Sequence, residues 1–263
     1  MLHAALGRAV RRTVCLYPDR PECPGCPLFS SCAFPRLFGT APQADSIREI
    51  RPYVLRVPPY FFGEQTLTLG FTLIGKESLS LRELVTSFEQ MGRFGLGRHR
   101  VPFHLVRVSQ EFPEPVCLCD GKTSLLRPTA VRFLKPQDFV SVLSDPPVHS
   151  CHLDFVSPLR LVRHGKIIPV GKIDFAQVVD FLLRRIDALD KVYGSGQGLS
   201  LETMQLREQA REVRTVHRAL RWRDGWRTRP GRNPMPMGGW VGQLVCEGEL
   251  TPFLPYLIQQ PQN

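Results

Sequence analysis

The sequence predicts an α+β protein made of two similar units in tandem. Three observations predict it. A strand, a helix, a glycine turn and a second strand follow one another between residues 66 and 108. The same order begins again after residue 150. Between the two lies the Pro-rich stretch Leu143-Ser-Asp-Pro-Pro-Val148, the best domain boundary in the chain. The expected domains are 1–145, with a Cys-rich start, and 150–263.

The elements follow from periodicity. MLHAALGRAVRR reads as the opening helix of the fold, because its apolar stretch is too short for a secretion signal and its charge lies on the wrong side. In Thr66–Ile74, Thr alternates with Leu or Phe, which predicts a half-buried strand. Leu81, Leu84, Val85 and Phe88 fall at helical spacing within 79–91. Gly92, Gly95 and Gly97 then lead to a strand at 101–108, completing a split βαβ order. In the second half, 152–162 reads as a strand. Phe175–Tyr193 reads as a helix, with Phe175, Val179, Leu182, Leu183 and Ile186 on one face. Residues 201–223 read as a second helix, 238–246 as a strand after a glycine turn, and 251–258 as a short helix.

Composition narrows the partner. The chain of 263 residues carries a formal net charge of +10, with 34 Lys and Arg against 24 Asp and Glu. Of the 34, 28 are Arg. A guanidinium grips phosphate in bidentate fashion and stacks on bases, so this balance favours a polyanion; a GC-rich genome raises Arg in the same way. No apolar run is long enough to span a bilayer, and without a signal peptide the eight Cys are expected to be reduced thiols or metal ligands in the cytoplasm.

The arginines concentrate. Arg207, Arg211, Arg214, Arg218 and Arg221 are spaced 4, 3, 4, 3. On one helix they would fall within roughly 80°, beside an apolar stripe of Leu206, Ala210, Val213, His217 and Leu220. Arg223, Arg227, Arg229 and Arg232 continue the run, so residues 207–232 hold nine Arg against three acids. That is the footprint of a phosphate backbone. The expected RNA-binding set is Arg98, Arg100, Arg207, Arg211, Arg214, Arg218, Arg221, Arg223 and Arg227, with Trp240 as an exposed aromatic in the glycine loop 235–242. The loop Gly92-Arg-Phe-Gly-Leu-Gly-Arg-His-Arg100 offers close backbone approach and charge, though a plain helix-to-strand turn explains it equally. His217, inside the apolar stripe, reads as a packed histidine.

Several short motifs, in order, resemble a known family. They are Phe94-Gly-Leu-Gly-Arg-His-Arg-Val-Pro-Phe103, Phe155-Val-Ser-Pro-Leu-Arg160, the following Phe-rich helix with Arg184-Arg185, and Met237-Gly-Gly-Trp-Val-Gly242 followed by Gly248-Glu-Leu250. Together they look like the CRISPR-associated pre-crRNA endoribonucleases of the RAMP superfamily. The start Cys23-Pro-Gly-Cys…Cys32-Ala-Phe…Leu37-Phe38 is similar to one branch of it. The resemblance implies two ferredoxin-like (RRM-like) domains and recognition of the repeat hairpin in CRISPR precursor RNA. It also implies metal-independent cleavage by 2′-hydroxyl attack, leaving a cyclic phosphate and mature crRNA, with other subunits of a CRISPR ribonucleoprotein complex as partners.

The chain departs from that pattern twice. A further glycine-rich strand segment, usual in the family, does not follow Pro252-Phe-Leu-Pro-Tyr256. Between residues 4 and 98 there is no His, where the family often carries a catalytic one; His3, His99 and His104 are the first-domain histidines. The Arg-heavy form looks like the type IV processing nucleases. Arg12, Arg20 and Arg36 lie where the catalytic segment is expected and would act electrostatically, since arginine stays protonated; His99 is the histidine alternative. A non-catalytic crRNA-binding subunit fits the same basic faces. A third reading is a zinc-stabilised protein-interaction module, since Cys15, Cys23, Cys26 and Cys32 (C-x7-C-x2-C-x5-C) form one knuckle with two further thiols. Structural zinc and reduced free thiols both remain open readings of that cluster, and no catalytic cofactor is expected.

Overall fold

A computed structural model describes residues 2–20, 22–38, 50–58, 65–97, 99–112, 114–121, 131–134, 147–198, 201–229 and 232–257. It divides into two compact units. The first comprises Met1–Pro58, Gln65–Leu134 and Lys191–Gly196, and the second Pro59–Glu64, Lys135–Asp190 and Gln197–Asn263. Helix and small antiparallel sheets mix in both.

The first unit is built on helix packing. Helix α1 (Leu2–Val14) puts Leu6, Ala9 and Val10 on one face. That face buries against Leu84 and Met91 of a later helix (Leu81–Phe94), with Phe71, Phe88 and Phe103 closing the core. The later helix follows α2 (Ala33–Phe38) in the chain and is α3. Strands β1 (Tyr53–Arg56) and β2 (Gly70–Leu73) pair antiparallel, and so do β3 (Arg107–Gln110) and β4 (Val116–Asp120). The predicted strands at 66–74 and 101–108 thus shrink to β2 and β3 and sit in separate two-stranded sheets. Pro102, which has no N–H to donate, sits at the start of the lost portion, and only Val101 is bridged, to Leu96.

The second unit is a two-layer sandwich. β5 (Ser150–Leu159) leads through the small hairpin β6 (Val162–Arg163) and β7 (Lys166–Ile167) into α4 (Phe175–Tyr193), with the bounds the sequence predicts. Asp174 caps α4, its carboxylate accepting from Gln177 N at 2.8 Å. After α5 (Leu201–Glu212) the chain becomes strand β8 (Arg214–Arg223). It continues through β9 (Trp226–Arg229) and β10 (Arg232–Pro236) to β11 (Gly239–Glu247), and a 3-10 turn leads into α6 (Leu254–Leu257). The sheet order is β5-β11-β8, with both pairings antiparallel. Phe175, Val179 and Leu183 of α4 and Leu206 and Ala210 of α5 cover one sheet face, against Leu244 and Cys246 of β11.

The predicted helix 201–223 is therefore half helix and half strand. Leu206, Ala210 and Val213 keep the helical spacing and are buried. Beyond them Thr215 and Val216 are β-branched and cost helix χ1 freedom. A full ladder on β11 is available from Arg214↔Glu247 to Arg223↔Gly239, and it decides the outcome. One bulge, between Val245 and Cys246 in register, leaves Val216 without an opposite residue.

At Gly242 the backbone has φ 124°, and a Cβ would lie 2.1 Å from the Ala219 carbonyl oxygen of β8. Gly242→Ala should lower unfolding stability by about 3 kcal/mol or more. Chemical denaturation of the purified variant measures this.

Candidate RNA-processing site

In the first unit the clearest polar cluster lies at the start of α1. The Tyr53 hydroxyl and His3 Nε2 are 2.6 Å apart, and Arg51 Nη1 stands 3.1 Å from His3 Nε2 and 3.2 Å from the Tyr53 oxygen. The two rings stack at 5.5 Å, with Phe38 edge-on to His3. Burial raises the Tyr53 phenol above its ordinary pKa, opposed by the hydrogen bond from Arg51. Tyr53 thus stays protonated at neutral pH and can donate to the imidazole. A histidine, a phenol and a guanidinium in mutual reach are a proton-transfer set with charge stabilisation. Sequence reasoning left His3 as a bare position; its partners lie about fifty residues away, and no local pattern reports them.

The expected catalytic arginines have different surroundings. Arg36 is fully engaged: Nε pairs with Glu77 at 3.0 Å, Nη2 donates to Ser80 Oγ at 3.0 Å, and Nη1 donates to the Ser31 carbonyl at 2.8 Å. Glu77 and Ser80 are buried. Arg36 thus ties α2 to the 3-10 turn before α3, with each of its three nitrogens bonded to the fold. Arg20 donates to the Gly25 carbonyl at 2.7 Å and receives Arg11 on its own carbonyl, so it shapes the cysteine loop. Arg12 is exposed and lies 4.6 Å from the Phe94 ring centroid, over a ring that is itself half exposed.

The glycine loop after α3 is a tight turn. Leu96 and Val101 exchange both backbone hydrogen bonds, at 2.8 and 3.0 Å, leaving His99 and Arg100 exposed at the tip. Arg100 takes φ 48°. Arg98 lies outside the described residues. Cys15, Cys23, Cys26 and Cys32 line one pocket with Arg11 and Arg20. Burial pushes the Cys23 thiol up, and the neighbouring thiols add to this while Arg11 opposes it. Among the described residues no three His, Cys, Asp or Glu side chains are grouped to hold a metal ion. The predicted knuckle is thus a shared pocket and not a formed ligand set.

In the second unit the arginine stripe is divided. Asp180 gathers Arg163 at 3.2 Å, Arg184 at 3.1 Å and Arg207 at 3.5 Å. Arg211 pairs with Glu208 on α5, and Arg214 reaches Glu247 across the sheet at 3.3 Å. Strand alternation sends Arg218 and Arg221 to opposite faces. Arg218 turns to the helix side, donating to the Ile173 carbonyl at 2.7 Å. Arg221, Arg223 and His217 share the other face, where His217 is exposed and not packed as predicted. Arg227 lies in β9, described by its backbone alone. Trp240, expected exposed, is half-buried against the core, and its indole N–H donates to the Ile168 carbonyl at 3.0 Å.

Residues 153–259 match the model of the CRISPR-associated endoribonuclease Cas6 family. Residues 1–130 match a family model described as an N-terminal domain. No curated protein matches the chain. Two solved structures, both described as Cas6 product complexes, are similar to it. One is 13% identical with a TM-score of 0.49, covering 97% of this chain and 81% of the other. The second is 17% identical with a TM-score of 0.38, covering 79% and 73%. The matched segment holds β8, β11, most of β5 and both long helices of the second unit. Among the described residues no helix is long and apolar enough to cross a membrane.

Arg36→Ala strands the buried Glu77 carboxylate and should cost about 3 kcal/mol of stability. Arg12→Ala, which loses only an exposed ring contact, should cost no more than about 1 kcal/mol. Thermal melts of the two variants side by side give the comparison.

Proposed function

We propose that the chain is an endoribonuclease that binds the repeat hairpin of CRISPR precursor RNA and cuts it to mature crRNA. The match of residues 153–259 to the Cas6 endoribonuclease family carries this reading. The order β5-β11-β8, with helices between its first and second strands, agrees with three strands of a ferredoxin-like domain. A tandem of such domains is part of the proposal, as is the type IV variant, suggested by the arginine content.

The chemistry proposed is attack by the 2′-hydroxyl on the adjacent phosphate, without a metal: the 2′-oxygen bonds to phosphorus, the bond from phosphorus to the 5′-oxygen breaks, and the products are a 2′,3′-cyclic phosphate and a 5′-hydroxyl that takes up the proton. His3 takes or returns the proton, Tyr53 orients the ring through the 2.6 Å contact, and Arg51 steadies developing negative charge. Arg12 lies nine residues further along α1, about 13 Å by helical rise, and so holds a neighbouring phosphate. Arg36 and Arg20 support the scaffold, and His99 is dispensable. The wider interface draws on Arg100, Arg211, Arg214, Arg221 and Arg223, with a crRNA ribonucleoprotein as the destination of the product.

Cleavage of end-labelled repeat RNA should persist in EDTA, and a single 2′-deoxy substitution before the cut should abolish it while sparing binding. His3→Ala and Tyr53→Phe should slow single-turnover cleavage by about 10²-fold, with His99→Ala near wild type. Tight binding without any cleavage would instead identify a crRNA-holding subunit. Loss of activity in His99→Ala alone would move the chemistry to the glycine turn.

The four-cysteine pocket is proposed to take structural zinc, which would draw the 15–32 loop inward to bring the thiols to ligand distance. Purified protein should then contain near-stoichiometric zinc by elemental analysis, and a chelator should lower its Tm. Metal-free protein with an unchanged Tm leaves the thiols free.

A further inference from the structure

We infer that Trp222 and Trp226, at the bend of the β8–β11 hairpin, form a stacking platform for an unpaired RNA base. The inference rests on the RNA-processing reading and adds a ligand class and a place. β8 passes into β9 at Asp224-Gly225, and β10 passes into β11 at Met237-Gly238. The two bends are tied by Met237 N donating to the Gly225 carbonyl at 2.7 Å. Around them four large apolar side chains face solvent: Trp222 is 38% exposed, Trp226 68%, Met235 57% and Met237 41%. An exposed apolar group of this kind marks a binding surface more often than it marks a fold requirement.

Trp222 is held in place. It is the cross-strand partner of Trp240, with ring centroids 5.1 Å apart at 77°. Its indole N–H donates to Asp224 Oδ1 at 2.9 Å. Gly238 leaves room for the ring, since a Cβ there would come within 2.7 Å of Trp222 Cζ2. A ring ordered before binding loses little entropy when a base stacks on it. Trp226 stands across the bend, opposite Pro236.

Charge selects the occupant. From 214 to 232 the chain carries seven Arg and one acid, Asp224, whose carboxylate already accepts from Trp222. Arg221 and Arg223 flank Trp222 along β8, and aromatic rings in so basic a segment fit a polyanion that offers flat faces. Paired bases inside a stem hide those faces, whereas unpaired bases flanking it expose them. The platform is therefore assigned to a nucleotide beside the stem.

The test uses the full chain and two hairpin RNAs, one blunt and one with unpaired adenosines at the base of the stem. Trp226→Ala should weaken binding of the flanked RNA about tenfold and leave the blunt RNA unchanged. Trp226→Phe should restore most of the loss, and the flanked RNA should quench wild-type indole emission more than the blunt one. Because Trp226 is mostly exposed, its replacement leaves the fold intact. Equal affinity of wild type and Trp226→Ala for both RNAs overturns the platform while leaving RNA processing standing. Failure of the wild type to bind either RNA overturns the RNA-processing reading itself, and the platform with it. Emission that responds to phosphatidylserine vesicles and not to RNA overturns the platform in favour of a lipid contact.

Discussion

The pairing of β11 with β8 is the constraint from which the rest of the second unit follows. Once the chain after Glu212 is drawn onto β11, the helix must stop, and its arginines no longer form one face. The same pairing sets which side chains meet α4 and α5. Leu244 and Cys246 are fully buried because β5 and β8 flank them and the helices close over them. It also builds the bend at 224–225 and 237–238, where Trp222 and Trp240 meet on one sheet face, Trp222 partly exposed at the edge strand and Trp240 anchored to the Ile168 carbonyl.

Arginine serves two purposes in this chain. Some guanidinium groups are consumed by the protein: Arg36 by Glu77 and Ser80, Arg218 by the Ile173 carbonyl, and Arg163, Arg184 and Arg207 by Asp180. Arg163, Arg184 and Arg218 stay exposed even so, as do Arg12, Arg100 and Arg221. Pairing with carboxylates therefore lowers the positive charge that the surface presents without removing the guanidinium groups from it.

How much was legible depended on whether the deciding contact was local. The helix at 175–193 was readable because its apolar face repeats within one segment and Asp174 stands at its start. The strand at 239–247 was readable from the glycine turn before it, and the opening helix because its short apolar stretch and misplaced charge exclude a secretion signal. The stretch 201–223 was not, because basic spacing of 4, 3, 4, 3 is blind to a ladder formed with residues 239–247. The site was less legible than the fold. His3 gains meaning only from Tyr53 and Arg51, and Arg36 only from Glu77, 41 residues away. Exposure of Trp240 could not be judged without Ile168, whose carbonyl takes its indole proton.

Gly242 also limits how this sequence can drift. Every nucleotide change at the first or second position of a glycine codon installs a side chain or a stop, and a Cβ at 242 would lie 2.1 Å from the Ala219 carbonyl oxygen. The position therefore has no tolerated neighbour in the genetic code, whereas Arg211 or Arg214, on the surface, can exchange with little cost to the fold. Lineages carrying this domain should keep the glycine fixed while exposed basic positions such as Arg211 and Arg214 vary.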